Sequence, residues 1–200
     1  MCGYYKYASN IDIDTRVLHI QGWMSHGELQ WLHQQAKAMP SGATIIEIGA
    51  WKGRSSAALY QGAGKLKSVV SIDTWLGTPT EMHAHAEALE VDMFEVYLSN
   101  MRELGYDVQP YSTRQLGPQC IKGDSVVSAE LFDNHSVDMV FIDGDHSQCG
   151  ADIDAWLPKV KAGGILCGHD YFCFYESIQQ EIHKRFWINR IVESIWVKQL

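Results

Sequence analysis

Two apolar runs in the C-terminal half of this sequence, VDMVFIDG and GILCGHD, each stop on a cluster of ionisable side chains. The first runs into Asp143, Gly144, Asp145 and His146, and the second into His169, Asp170 and Tyr171. Carboxylates and an imidazole at neighbouring strand ends are donors that can converge on one divalent cation. An oxygen-rich set favours magnesium or another hard ion, and a histidine among the donors also admits manganese, iron or zinc. Asp143, His169 and Asp170 are therefore the candidate metal ligands. His146 is the candidate general base, because an unperturbed imidazole titrates near neutrality. Either histidine alone is more readily a hydrogen-bonded loop residue. The grouping is what points to a site.

A second constellation lies earlier, in IIEIGAWKGRSS. Gly49 and Gly53 allow a sharp turn and a close approach of ligand to backbone, and the helix that follows offers unpaired N–H donors. The dinucleotide pattern of three glycines fails, because Trp51 stands where the second would be. Glu47 instead makes the motif acidic, which suits a ligand with a cationic end, such as an amino acid carrying a sulfonium. A tight strand-to-helix turn with no ligand is the plainer alternative. Asp73 ends the next apolar run, where a carboxylate can accept both hydrogen bonds of a ribose diol or serve as a turn residue. Asp124 and Ser125, in KGDS, stand where an adenine edge could be read or where they cap a helix, and alone the cap is favoured.

These residues need strands to carry them. Short apolar runs at 43–50, 67–75, 119–125, 137–144 and 164–170 alternate with helical periodicity. SHGE places Ser25 and Glu28 at capping-box spacing ahead of a helix that Pro40 stops. The segment GADIDAWLPKVKAGG predicts a helix ending at glycine, YESIQQEIHKRFW a last helix, and RIVESIWVKQL a β-rich tail. Continuous apolar strands alternating with helices mean a mostly parallel sheet covered on both faces. In such sheets ligands bind outside the carboxyl ends of the strands. Residues 76–118 form a connection unusually long for one crossover and are a candidate lid. No repeat or linker divides the chain, so a single domain is expected over 1–200, with 1–40 as lead-in and first helix.

Composition narrows the function. A net charge of −8 argues against nucleic-acid and anionic-membrane partners. Five cysteines without a CxxC spacing suggest neither a disulfide framework nor a zinc site, and reduced thiols are expected. The opening MCGYYKYASNID has no apolar signal core, and no segment reaches the length of a membrane span. A cytoplasmic protein is the expectation. Trp75, Tyr171, Phe172 and Phe174 flank the candidate site and could stack on a ring or simply pack.

Taken together, Glu47, Gly49, Gly53, Asp73, the GDS segment and the DGDH and GGILCGHDY pair resemble class I S-adenosylmethionine-dependent methyltransferases. More narrowly, the chain is similar to the bacterial branch of metal-dependent sugar and small-molecule O-methyltransferases, from about Gly22 onward. The resemblance implies a Rossmann-like αβα sandwich with a seven-stranded sheet whose last strand is antiparallel. The short tail predicts a final hairpin that is abbreviated or reduced to one strand. It further implies that Glu47, Gly49, Ala50, Lys52, Gly53 and Ser55 border the methionine part of the cofactor, with Asp73, Thr74 and Trp75 near the ribose. Gly123, Asp124 and Ser125 would lie by the adenine, and Asp143 would touch both cofactor and metal. His169 departs from the carboxylate usual at its position. The function implied is methyl transfer from S-adenosylmethionine to a hydroxyl of a small molecule, with a divalent metal, magnesium first, and with His146 and Asp143 catalytic. The alternatives are a metal-independent methyltransferase and a non-catalytic binder of the same cofactor. Whether the protein forms a homo-oligomer is open. A nucleic-acid methylase is disfavoured, because DGDH stands where such enzymes carry a Pro-Pro-aromatic motif.

Overall fold

The computed structural model describes residues 13–79, 81–172 and 176–200. Eight strands form one sheet: β1 (Thr44–Ile48), β2 (Ser68–Asp73), β3 (Gln109–Pro110), β4 (Gly117–Lys122), β5 (Val137–Ile142), β6 (Val160–Gly168), β7 (Arg190–Val192) and β8 (Ile195–Gln199). Their order is β3-β4-β2-β1-β5-β6-β8-β7. The pairings from β3 through β6 are parallel, whereas β8 runs antiparallel to both β6 and β7. The Rossmann-like architecture and the antiparallel last strand agree with expectation, but the strand count is eight rather than seven. The extra strand, β3, is two residues long at one edge, too short to leave a local sequence signal. The final hairpin is short, as the tail length predicted, yet both of its strands form.

Alternation along the strands sorts the core into two layers. On one face Ile45, Met139 and Phe141 pack with α1 (His26–Ala38), α2 (Arg54–Ala63) and α4 (Met93–Glu103). On the other, Ile46, Ile48, Val140 and Ile142 pack with α6 (Cys149–Trp156) and α7 (Glu176–His183), through Ile153, Trp156, Ile178 and Ile182. Each of these fully buried aliphatic side chains stabilises the fold by about 1.5–3 kcal/mol relative to exposure. The predicted capping box is present: Glu28 N–H donates to Ser25 Oγ and Ser25 N–H donates to Glu28 Oε2.

One boundary differs from expectation. The helix after DGDH ends at Trp156 rather than at the glycines, and residues 160–164 join β6. Pro158, which lacks an N–H and fixes its φ, sits in the 3-10 turn that closes this helix. The 81–105 stretch splits into α3 (Met82–Glu90) and α4, because Asp92 caps α4 by accepting from Phe94 and Glu95 N–H. Cys120, Cys149 and Cys167 are buried free thiols, and Cys2, Cys173 and Phe174 lie outside the described residues. Among the described residues no helix is long and apolar enough to cross a membrane.

Candidate active site at the carboxyl edge of the sheet

Strand order reverses between β1 and β5, and the turns that leave these two strands touch. Gly49 has φ +85°, and a Cβ there would lie 2.1 Å from the Asp143 carbonyl oxygen. Only glycine lets the two turns approach so closely. Gly53, at φ +91°, opens α2 and faces the side chains of Met101 and Tyr97. Asp73 braces this turn from β2. Its Oδ2 accepts Ala50 N–H at 2.9 Å and Trp51 N–H at 2.8 Å, and its Oδ1 accepts Trp75 N–H at 2.7 Å. A carboxylate has about four lone-pair sites, so one remains, fewer than a ribose diol would use. Thr74 and Gly123 adjoin it, with Gly123 N–H donating to the Asp73 carbonyl.

Glu47 lies beneath the turn, fully buried on the α2 face of β1. Its Oε2 accepts from the Ser56 and Ser71 hydroxyls at 2.5 Å each, and its Oε1 has no well-formed hydrogen bond. Burial raises its pKa to about 7, against the opposing pull of the Ser55, Ser56 and Ser71 hydroxyls. A buried carboxyl with an unsatisfied oxygen fits a ligand carrying a positive charge. Lys52 is also buried, and its Nζ meets Glu87 Oε1 of α3 at 2.6 Å and also Gln21 Oε1. Trp75 packs inward against Phe94 and Tyr97, at ring distances of 4.6 and 5.0 Å, and is a core residue. Asp124 caps α5 (Ser125–Ser128) by accepting Val127 N–H, while the Ser125 hydroxyl donates to Asp152.

At the adjacent strand ends, parallel pairing of β5 with β6 sets Ile142 beside Gly168 and brings the two clusters together. His169 Nδ1 lies 3.3 Å from Asp143 Oδ1 and 3.3 Å from Asp170 Oδ1. Asp170 adopts a left-handed φ of 60°, and its second oxygen stands 2.7 Å from His146 Nε2. One carboxylate thus serves both histidines. Asp143, His169 and Asp170 offer donor atoms that all lie within 4.8 Å of one another. Two carboxylates and one imidazole nitrogen, so gathered, suit a divalent ion.

Two further carboxylates complete the cluster, and neither was anticipated. Glu28, known from sequence only as a capping residue, places Oε1 at 3.1 Å from His169 Nε2. Glu81, just ahead of α3, places Oε1 at 3.0 Å from His146 Nδ1. Burial alone would lower the pKa of His146, but Asp170 and Glu81 outweigh it and raise the value to about 10. Burial also disfavours charge on His169, yet Asp143, Asp170 and Glu28 hold it far above the ordinary range. Nothing in the local sequence marks Glu81, whereas the spacing from Ser25 to Glu28 accounts for only one of Glu28's two roles.

A family model described as a methyltransferase domain matches residues 46–171, well over half of the chain. No curated protein sequence matches. Among solved structures, a Corynebacterium glutamicum protein shares 15% identity at a TM-score of 0.66, over 96% of this chain and 92% of its own. A Bacillus cereus O-methyltransferase, solved with S-adenosylhomocysteine, is 16% identical at a TM-score of 0.59, covering 88% of this chain and 79% of its own. A Thermotoga maritima S-adenosylmethionine-dependent O-methyltransferase is 18% identical at 0.55, over 82% of this chain and 50% of its own. These identities speak to the fold alone; the family match carries the assignment. The chain belongs to the methyltransferase-domain family and has the class I S-adenosylmethionine-dependent methyltransferase fold.

Proposed function

We propose that this protein transfers a methyl group from S-adenosylmethionine to a hydroxyl of a small molecule, with a divalent ion held by Asp143, His169 and Asp170. The observation that carries this reading is the convergence of that donor set beside the glycine turn. The two lie across the β1–β5 crevice, with the Gly49 and Asp143 backbones in contact. The cofactor supplies an electrophilic methyl on a sulfonium. The ion supplies Lewis acidity that lowers the pKa of a hydroxyl, magnesium being the first choice among hard ions.

The chain's own residues do the rest. Glu47, Gly49, Ala50, Lys52, Gly53 and Ser55 border the methionine end, where the buried Glu47 carboxyl answers its positive charge. Asp73 retains one lone pair for a ribose hydroxyl, with Thr74 and the Trp75 backbone beside it. Gly123, Asp124 and Ser125 lie toward the adenine. His146 is the base. In the geometry described, Glu81 occupies its Nδ1 and Asp170 its Nε2. An acceptor hydroxyl that displaces Glu81, with the Nδ1 proton leaving alongside that carboxylate, would meet a free Nδ1 lone pair while Asp170 still accepts the Nε2 N–H, leaving an oriented carboxylate–imidazole dyad. Glu81 belongs to the 76–118 insert, so this exchange is the point at which the insert acts as a lid. Holding two reactants in line is where most of the rate gain arises.

A metal-independent enzyme is the second reading, favoured by the His169 imidazole standing among three carboxylates, where its own positive charge offsets part of theirs. Calorimetric titration with S-adenosylmethionine, followed by methyl-transfer screening of hydroxylated metabolites with and without chelator, separates the two. Turnover abolished by chelation and restored by magnesium or manganese supports the first reading. Turnover indifferent to chelation supports the second, and absence of cofactor binding removes both. His146→Ala is expected to lose turnover while keeping cofactor affinity; equal loss of both would make His146 structural.

A further inference from the structure

Glu28 is more deeply buried than a capping glutamate needs to be. A capping box asks only that the side chain reach the N-cap N–H, which solvent-facing glutamates do equally well. Here the residue is 3% exposed. Its Oε2 accepts Ser25 N–H at 2.8 Å, and its Oε1 accepts Ser194 N–H at 2.9 Å, from the turn between β7 and β8. Two backbone donors from opposite ends of the chain therefore fix the plane of this carboxylate. The same Oε1 lies 3.1 Å from His169 Nε2. On the opposite edge of that ring, Nδ1 lies 3.3 Å from both Asp143 and Asp170. The residue has little freedom, because His169 is 7% exposed and its backbone N–H donates to the Ile142 carbonyl.

We propose that Glu28 is the positioning residue for His169: it accepts the Nε2 proton and so keeps the Nδ1 lone pair turned toward the gap between Asp143 and Asp170. This inference rests on the metal-dependent reading above and adds the residue that orients one of the three ligands. A neutral imidazole carries one proton, and a carboxylate held at one nitrogen decides that the other is the ligand. The helix cap and the last hairpin turn are thereby tied to the ligand set, since one carboxylate serves all three.

The test measures Mn2+ affinity by electron paramagnetic resonance for the unmodified protein, Glu28→Gln, Ser25→Ala and Asp143→Asn. Loss of an outer carboxylate partner typically weakens metal binding about 10–100-fold, and that loss is expected for Glu28→Gln. Ser25→Ala removes the cap but not the His169 contact and is expected to leave affinity unchanged. Equal weakening in both variants would mean that Glu28 acts only through the helix start, and the proposal falls. Unchanged affinity in Glu28→Gln overturns the proposal and leaves the metal reading intact. Absence of Mn2+ binding in the unmodified protein, or binding indifferent to Asp143→Asn, removes both. Should Glu28→Gln not fold, nitrogen-15 histidine spectra of the Zn2+-loaded unmodified protein decide the matter. His169 is expected with Nε2 protonated and Nδ1 on the metal, and the reverse tautomer refutes the assignment.

Discussion

Replacing Glu47 with glutamine tests the buried half of the site. In the fold this carboxyl titrates at about 7 instead of 4.5, because burial outweighs its serine partners. Below pH 4.5 both folded and unfolded chains hold the proton, and the group has no effect on stability. Between pH 4.5 and 7 the unfolded chain releases its proton while the folded chain keeps it, so stability falls as pH rises. At about 1.4 kcal/mol per pKa unit, the accumulated loss at neutral pH is about 3 kcal/mol. Glu47→Gln places a permanently neutral group of the same size in the same pocket and removes this dependence. Urea unfolding of both proteins, monitored by fluorescence from pH 4 to 8, should give curves that coincide at the acid end. They should then diverge steadily, the variant being more stable above pH 7. Parallel curves across the range would show that Glu47 ionises normally in the fold, and the argument from its burial would be wrong. The variant should also bind S-adenosylmethionine more weakly, since the pocket no longer offers a carboxyl to a cationic group.

Three further perturbations probe the same edge of the sheet. Gly49→Ala must place a methyl 2.1 Å from the Asp143 carbonyl at a left-handed φ; strain and overpacking together should cost about 2–5 kcal/mol in chemical denaturation. Trp75→Ala removes a buried ring from the Phe94 and Tyr97 cluster and should cost about 3–5 kcal/mol, far more than loss of a surface ligand contact would. His146 has its pKa raised from 6.5 to about 10, so the stability it contributes is fully present below pH 6.5 and disappears as pH passes 10. His146→Gln should therefore be less stable than the parent below pH 6.5 and converge on it in alkali, as followed by thermal melts across that range.

Several elements were legible in the sequence because their causes are local. Ser25 and Glu28 announce a helix start by spacing, and Pro40 marks where the same helix stops. The parallel sheet follows from apolar strands alternating with helices, and its carboxyl edge is where Asp143, His169 and Asp170 had to be sought. The boundaries that were missed depend on partners elsewhere in the chain. The glycines at 163 and 164 read as a helix end, yet they pair as part of β6 because the neighbouring sheet supplies the hydrogen bonds. The edge strand β3 exists only by virtue of its two-residue pairing with β4.

The candidate site divides in the same way. Residue types and strand ends, set by the sequence alone, singled out the residues proposed as the ligand set and the base. Direction and partnership came from tertiary structure. Trp75 turned into the core, Asp73 spent three of its lone-pair sites on backbone N–H groups, and Asp124 became a helix cap. The two glutamates that grip the histidines come from the first helix and from the edge of the insert. Glu28 and His169 meet although 141 positions separate them in the sequence. A carboxylate's ability to accept a proton is written in its chemistry, but which imidazole it faces is decided by how α1, the insert and the final hairpin pack around the end of β6.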